Sequence, residues 1–434
     1  MKILFLLKIT KLKLKYFRKV FNLDKKSILL YIFILIPLIT LFLGFAFNED
    51  LSTGGAKQDF DLTWPIIINY SNLNFVTEIT RHMPMHYALL SLVNITFNDQ
   101  NLVKIFYFFF SFSLPIFLYL NLAKIYNCNK LILIIFSSSF LFIPLFRASA
   151  IWANAHLTAA IFFLIGNYFY LKSKGNNIFI YKIINLLFLS FSIYCIQTYL
   201  FLFLYYLYNY FLSEKIYNFI KLFLFSALLS LPGLFFIMLN PRVVDLGNVM
   251  TRDIFYTISC NFSVIFFFLL FLIFNKENLI IITNEIKKLT KIEIIFIFLI
   301  VFFVLYNQEL FALDPRLRGG GFFYKLSYLI FKNNLIFIFS FLLGLITSYI
   351  LIKREPKFFH MFIIINLMSL NFIVYQKYFE PLFFIMVSIL FKNFLMNNIL
   401  LSFKNTLFFY GLIFLYFITA YVNYLNKISY LLTS

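Results

Sequence analysis

The sequence predicts an all-α, polytopic integral membrane protein with about 11–13 transmembrane helices, and three observations carry that prediction. Of its 434 residues 62% are apolar, 22% aromatic and only 12% charged, whereas a soluble domain is roughly half apolar and a quarter charged. The apolar residues form continuous runs of about the 20 residues a helix needs to cross a bilayer, not the alternating ten-residue segments of barrel strands. The net charge of +20 falls unevenly between those runs, as the positive-inside rule requires. Sixty-six Phe and 29 Tyr exclude disorder, because disordered chains are poor in aromatics. Three cysteines exclude a disulfide-built secreted domain. On a soluble chain +20 would suggest a nucleic-acid partner; at this apolar content it reads as topology, and no nucleic acid is expected.

The candidate spans cover about 27–47, 102–123, 131–146, 149–171, 179–195, 198–213, 219–239, 254–274, 294–312, 335–352, 359–375, 382–396 and 406–425. The first follows a basic segment, 1–26, holding Lys2, Lys8, Lys11, Lys13, Lys15, Arg18, Lys19, Lys25 and Lys26. No cleavage site is visible, so this run reads as an anchor. With the N-terminus cytoplasmic and thirteen spans, 25 of the 37 Lys/Arg but only 6 of the 17 acids fall inside, and the outside is nearly neutral. The basic excess therefore orients the chain against the lipid bilayer. Residues 27–434 form one transmembrane domain. Its outer face carries a first extracytoplasmic loop, 48–101, expected to hold short surface helices, a late loop, 307–334, and a smaller one, 240–253.

The first loop is the richest in chemistry. It contains Glu49, Asp50, Asp59, Asp61, Glu78 and Asp99. Residues 62–80 have amphipathic spacing and suit a surface helix, which would hold Asp59 and Asp61 near the headgroups, where retained ionisable groups tend to be functional. A helix starting at Pro84 would place Arg81 and His82 just before its positive N-terminal end and His86 in its first turn, a place that suits phosphate. The i, i+4 spacing of His82 and His86 is that of a helical metal pair, but Pro84 lies between them and no further ligand motif supports zinc. In the late loop, Arg316 and Arg318 precede three glycines, 319–321, and can make paired bonds to phosphate. Arg242 and Arg252, with Asp245 and Asp253, are weaker candidates of the same kind. A third polar group, Gln376-Lys377-Tyr378-Phe379-Glu380-Pro381, stands at an outer helix boundary. Arg147 reads as a cation at an outer helix end, Gln197-Thr198-Tyr199 as a tight outer turn, and His156 as packed. Cys128, Cys195 and Cys260 are scattered and read as packed in the membrane.

Taken together, one span, an acid-bearing outer loop with Asp59-Phe60-Asp61, and the stretch Pro84-Met85-His86-Tyr87-Ala88-Leu89-Leu90 resemble the GT-C superfamily of membrane glycosyltransferases. That superfamily includes the bacterial dolichyl-phosphate-mannose and aminoarabinose transferases. Its members carry a PPLYYLLLAL-like stretch after the acidic loop and often a late RY-x-x-P, which Lys377-Tyr378-Phe379-Glu380-Pro381 resembles with Lys in place of Arg. The resemblance implies inverting transfer of a sugar from a polyprenyl-phosphate donor to a lipid or cell-envelope-glycan acceptor on the extracytoplasmic face of a bacterial inner membrane. Such transfer needs a general base at the acceptor hydroxyl and cations at the departing phosphate. Asp59 is the expected base, with Asp61 in reserve or positioning. Arg316, Arg318 and Lys377, backed by Arg81 and His82, are the expected phosphate ligands, and His86, Tyr87 and Tyr378 position substrate. Members differ in whether they use a divalent metal, Mg or Mn, and the sequence does not choose. Two other classes use many spans: a polysaccharide polymerase or ligase leaning on Arg316 and Arg318, and a lipid-glycan flippase or transporter. The second predicts discontinuous helices.

Overall fold

Breaks in the apolar runs decide how the helices are placed. The computed structural model describes residues 25–52, 55–74, 82–176, 178–240, 243, 254–306, 320–369, 374 and 376–433, so most of the basic N-terminal segment lies outside it. Among the described residues every regular element is helical. The chain runs through α1 (Lys25–Ala46), α2 (Gly55–Ser71), α3 (Met85–Phe97), α4 (Gln100–Ser111), α5 (Ser113–Ile125), α6 (Lys130–Ser139), α7 (Pro144–Ile151) and α8 (Ala155–Asn176). It continues with α9 (Phe179–Cys195), α10 (Leu200–Ser213), α11 (Ile216–Leu239), α12 (Ile254–Ile273), α13 (Lys276–Lys287) and α14 (Lys291–Tyr306). It ends with α15 (Gly321–Phe331), α16 (Leu335–Arg354), α17 (Lys357–Met368), α18 (Leu382–Ile389), α19 (Phe394–Leu401) and α20 (Phe403–Thr433).

The starts of several helices follow from single side chains. Asp99 accepts from the backbone N–H of Asn101 and Leu102 ahead of α4. Asn129, Asn275 and Asn393 accept in the same way ahead of α6, α13 and α19. Each satisfies a donor that the first helical turn leaves without a partner. Pro144 opens α7, where its missing N–H costs nothing.

The chain is an integral, polytopic membrane protein. Five helices are long and apolar enough to cross a membrane: Gln100–Ile125, which joins α4 and α5, then α11, α12, α16, and α20 as far as Asn426. Two bent pairs raise the number to seven: α6 with the 3-10 turn Phe140–Phe142 and α7, bent by 68°, and α18 with α19, bent by 90°. Four shorter apolar helices complete the set: Tyr31–Ala46 of α1, α3, α9 and α17. The eleven to thirteen spans expected from sequence thus reduce to five to seven by length. The apolar runs at 131–146 and 382–396 do not continue as straight helices, and the run at 359–375 stops being helical at Met368.

Packing sorts the helices into centre and periphery. Only 22% of the apolar window of α11 is buried, against 67% for α12. Ile220, Phe223, Leu224, Leu231, Phe235 and Met238 of α11 are exposed, an apolar face that a soluble monomer would not present. Between inner helices, polar side chains join backbones. Asn121 of α5 donates to the Leu164 carbonyl (2.9 Å) and accepts from Asn167 of α8 (2.8 Å). Asn185 of α9 donates to the Gly166 carbonyl (2.9 Å) and accepts from Tyr210 (3.0 Å). Hydrogen bonds of this kind hold helices together where water cannot compete.

Gly344 sets a close crossing between α16 and α12. A Cβ there would collide with the backbone carbonyl of Phe262, so the two helices meet only because residue 344 has no side chain. Gly344→Val therefore forces the helices apart, at a cost of about 1–3 kcal/mol for overpacking. The expected result is a lower melting temperature in detergent, while Gly411→Val, where nothing lies within 4 Å, leaves it unchanged. Equal melting of both variants would contradict the crossing.

Candidate functional site

The ion pairs fall into two sets. Lys182–Glu214, Lys288–Glu285, Lys353–Glu293 and Arg354–Glu285 join residues that the charge reading puts inside. Glu49–Arg147, Lys57–Asp61 and Asp59–Lys377 join residues that it puts outside. No pair among the described residues mixes the two. The second set surrounds the candidate site.

Its base is a buried ion pair. Arg147, which follows the bend between α6 and α7, has no exposed surface. Its Nε and Nη2 donate to the two carboxylate oxygens of Glu49 at 2.7 and 2.9 Å, and Nη2 and Nη1 also reach the carbonyl and hydroxyl of Thr40 in α1. The Phe417 ring of α20 lies 4.5 Å from the guanidinium. This is not the exposed helix-end cation that the sequence suggested. The adjacent Asp50 accepts from the backbone N–H groups of Ser52 and Lys57 (2.9 and 2.8 Å) and from the Ser52 hydroxyl. Asp50 thereby ties the start of α2 to the end of α1.

Helix α2 carries Asp59 and Asp61 within its first two turns, so both acids lie on the helix and not in a loop before it. Asp61 pairs with Lys57 one turn back (2.6 Å). Asp59 instead reaches across the fold: Lys377 Nζ donates to Asp59 Oδ2 at 3.4 Å, from 318 residues along the chain. Both side chains are accessible, 33% for Lys377 and 47% for Asp59. Lys377 sits in a 3-10 turn, Gln376–Tyr378. Just before that turn, the Val374 carbonyl accepts from the Gly320 backbone N–H (3.0 Å). Gly320 and Gly321 have φ of +78° and +77°, and a Cβ on either would strike Tyr324 or Val264. The glycines thus close a turn against the chain itself. They fix the residue two places after Arg318 beside the Lys377 segment.

A cavity of about 100 Å³ opens beside the same turn. Polar groups of His82, His156, Gln197, Thr198, Ser369 and Glu380 line it together with apolar residues. His156, read from sequence as packed, faces this cavity, and its ring lies 5.8 Å from that of His82. Glu380 is 4% exposed. It accepts from the Tyr416 hydroxyl and from the Leu145 backbone N–H (3.3 Å), and Gln376 donates to the same tyrosine oxygen (3.1 Å). Glu380 lies in the turn ahead of α18, outside the helices that qualify as spans. Burial pushes its carboxyl up to about 7, against the smaller lowering effects of the Tyr416, Leu145 and Gln376 hydrogen bonds.

The remaining expected residues divide. His86 does occupy the first turn of α3, but it is buried: Nε2 donates to the Ala153 carbonyl and Nδ1 bonds to Thr158, each at 2.9 Å. Because a carbonyl only accepts, Nε2 carries the proton and Nδ1 accepts from the threonine. Both ring nitrogens are therefore engaged in holding α3 to the start of α8, away from any solvent-facing ligand. Tyr87 is likewise buried, 2% exposed. Arg81, Arg242, Arg252, Arg316 and Arg318 lie outside the described residues, as does the side chain of Tyr378. Cys195 and Cys260 are buried and Cys128 half-buried, and none of the three is in a disulfide. No group of three or more His, Cys, Asp or Glu among the described residues is placed to hold a metal ion.

Sequence reasoning missed Arg147, Glu49 and Glu380 as structural or cavity residues. Each is a charge within or directly beside an apolar run, and that position was the available signal. Comparison with family models, with curated proteins and with solved structures found no match to this chain.

Two outcomes follow from these burials. Arg147→Met leaves Glu49 buried without its cation and costs about 3–5 kcal/mol, whereas Glu49→Met/Arg147→Met recovers most of the loss. Melting in detergent of both single variants and the double checks this, and additive losses would contradict it. For Glu380 the folded carboxyl is raised from its ordinary 4.5 to about 7. Its contribution to stability is therefore complete below pH 4.5 and lost as the pH rises through about 7. Glu380→Gln should flatten the decline in melting temperature across that window; an unchanged profile would show that the decline has another source.

Proposed function

We propose that the chain is a membrane glycosyltransferase that moves a sugar from a polyprenyl-phosphate donor to a lipid or glycan acceptor at the extracytoplasmic face. The observation that supports it is the Asp59–Lys377 contact. It brings the acid of the first outer segment within 3.4 Å of a cation from the late outer boundary, the two components inverting transfer needs. The acceptor oxygen bonds to the anomeric carbon as the bond from that carbon to the phosphate oxygen breaks. Asp59 takes the acceptor proton, and Lys377 neutralises the charge appearing on the polyprenyl phosphate. An ammonium has three N–H donors, so Lys377 can keep Asp59 oriented while it binds the phosphate. Asp61, held by Lys57 on its own helix, has the positioning role.

A second reading, a lipid-glycan flippase or transporter, is favoured by the two broken helices at α6–α7 and α18–α19, the feature such proteins use to form sites within the membrane. Transfer of labelled sugar from a polyprenyl-phosphate donor by the full chain in vesicles separates the two readings. Asp59→Asn is expected to lower transfer by about 10²–10⁴-fold, the usual worth of a general base, with Asp61→Asn far milder and Lys377→Arg partly active. An Asp59→Asn variant as active as the wild type would remove the base assignment. Movement of the labelled lipid between leaflets without any change of its covalent structure would favour the transporter.

A further inference from the structure

Glu380 has acceptor capacity left over. A carboxylate offers about four acceptor positions, and three donors meet it: the Tyr416 hydroxyl, the Leu145 N–H and the Gln376 amide. Glu380 is among the residues that line a cavity whose other polar residues include Gln197, Thr198 and Ser369, neutral groups that donate and accept. Phe379 and Tyr199 line the same cavity. One water needs about 10–15 Å³, so about 100 Å³ takes several hydroxyl groups but no lipid tail. Hydroxyls along an edge and an apolar face of C–H groups describe a sugar ring. Lys377, three residues from Glu380 on the same turn, disfavours an ammonium group here. An uncharged sugar fits better than an amino sugar.

We propose that this cavity is the sugar-binding subsite, in which Glu380 accepts hydrogen bonds from the hydroxyls of an uncharged hexose lying against Phe379 and Tyr199. The proposal rests on the glycosyltransferase reading for the identity of the sugar's carrier. Its site is read from the cavity alone.

The experiment is protection of an introduced cysteine. Thr198→Cys, in a Cys128→Ser background, is labelled with a small charged thiol reagent in vesicles holding the full chain. The added probes are glucosyl or mannosyl polyprenyl phosphate, or polyprenyl phosphate without sugar. The exposed position Lys332→Cys serves as control. Labelling of Thr198→Cys is expected to slow with a sugar-bearing lipid, to be little affected by the sugar-free lipid, and to be unchanged at position 332. Adding Glu380→Gln should raise the half-protecting concentration about tenfold or more, the worth of one charge-assisted hydrogen bond. Equal protection by both lipids, protection by neither, or an unchanged half-protecting concentration would each overturn the proposal. Measuring transfer in the same vesicles separates the two levels. Transfer without protection removes this subsite and keeps the enzyme; protection without transfer keeps the subsite and removes the enzyme.

Discussion

The arrangement of the candidate site depends on the ion pair between Glu49 and Arg147. Burying two charges is expensive, and attraction alone does not offset it unless the remaining hydrogen-bonding capacity is also met. Here it is met: both carboxylate oxygens are used, and the rest of the guanidinium turns to Thr40. The space comes from Gly44, where a Cβ would lie 2.7 Å from the guanidinium and 2.8 Å from the carboxylate. Two further contacts lean on the pair. Trp152 donates to the Glu49 carbonyl (3.0 Å), and Lys104 stands 3.9 Å above the Trp152 ring. With Glu49 fixed, Asp50 is held where it caps α2, and α2 is what presents Asp59. The reach of a half-exposed aspartate to Lys377 thus begins with a charge pair that water does not touch.

The same requirement, that no polar group be left alone in an apolar medium, explains how the breaks in the helices are tolerated. Asn393 meets the 90° turn between α18 and α19 twice: its oxygen accepts from Met396 N–H and its amide donates to the Val387 carbonyl (2.7 Å). Pro232 interrupts α11, and there the Tyr194 hydroxyl enters the ladder, accepting from Gly233 N–H (3.2 Å) and donating to the Leu229 carbonyl. A side chain inserted into the helix ladder at a proline is one of the recognised causes of a kink. In the α6–α7 break, the Leu145 N–H, free in the first turn of α7, is taken by Glu380. That contact binds the bend to a residue that lines the cavity.

Much of this was legible in the sequence because it is written in composition and period. The all-helical membrane class follows from continuous apolar runs. The turn at Gln197–Tyr199 and the start of a helix after Pro84 were also readable, from polar residues and a proline punctuating apolar runs. The bends were not readable. Residues 131–146 and 382–396 look like plain spans, since a break made by one 3-10 turn or one capping asparagine leaves hydropathy unchanged. His86 was misplaced for a related reason. Helix-terminal position is a local property, but its burial depends on Thr158 and Ala153, some seventy residues away. The contact of Asp59 with Lys377 was anticipated only as a shared role; no local pattern encodes a distance between residues 318 apart.

Three carboxylates compete for the role of base, and their surroundings separate them under the proposed transfer chemistry. A base that takes a proton from an acceptor must reach that acceptor and afterwards release the proton to water. Glu380, 4% exposed and already accepting from Tyr416, lacks the exposure of the two aspartates, which suits a group that holds a ligand and not one that cycles protons. Asp61 is as accessible as Asp59, 48% against 47%. Its partner Lys57 lies one turn back on the same helix, however, so it is tied to nothing that donor or acceptor would bring. Asp59 alone joins exposure to a cation from a distant segment. A cation placed there aligns the carboxylate and lies where a leaving phosphate would gain charge, so base and electrostatic stabiliser come together at one contact. Under the proposed transfer, this pairing, more than the acidity of the first loop, favours Asp59 as the base.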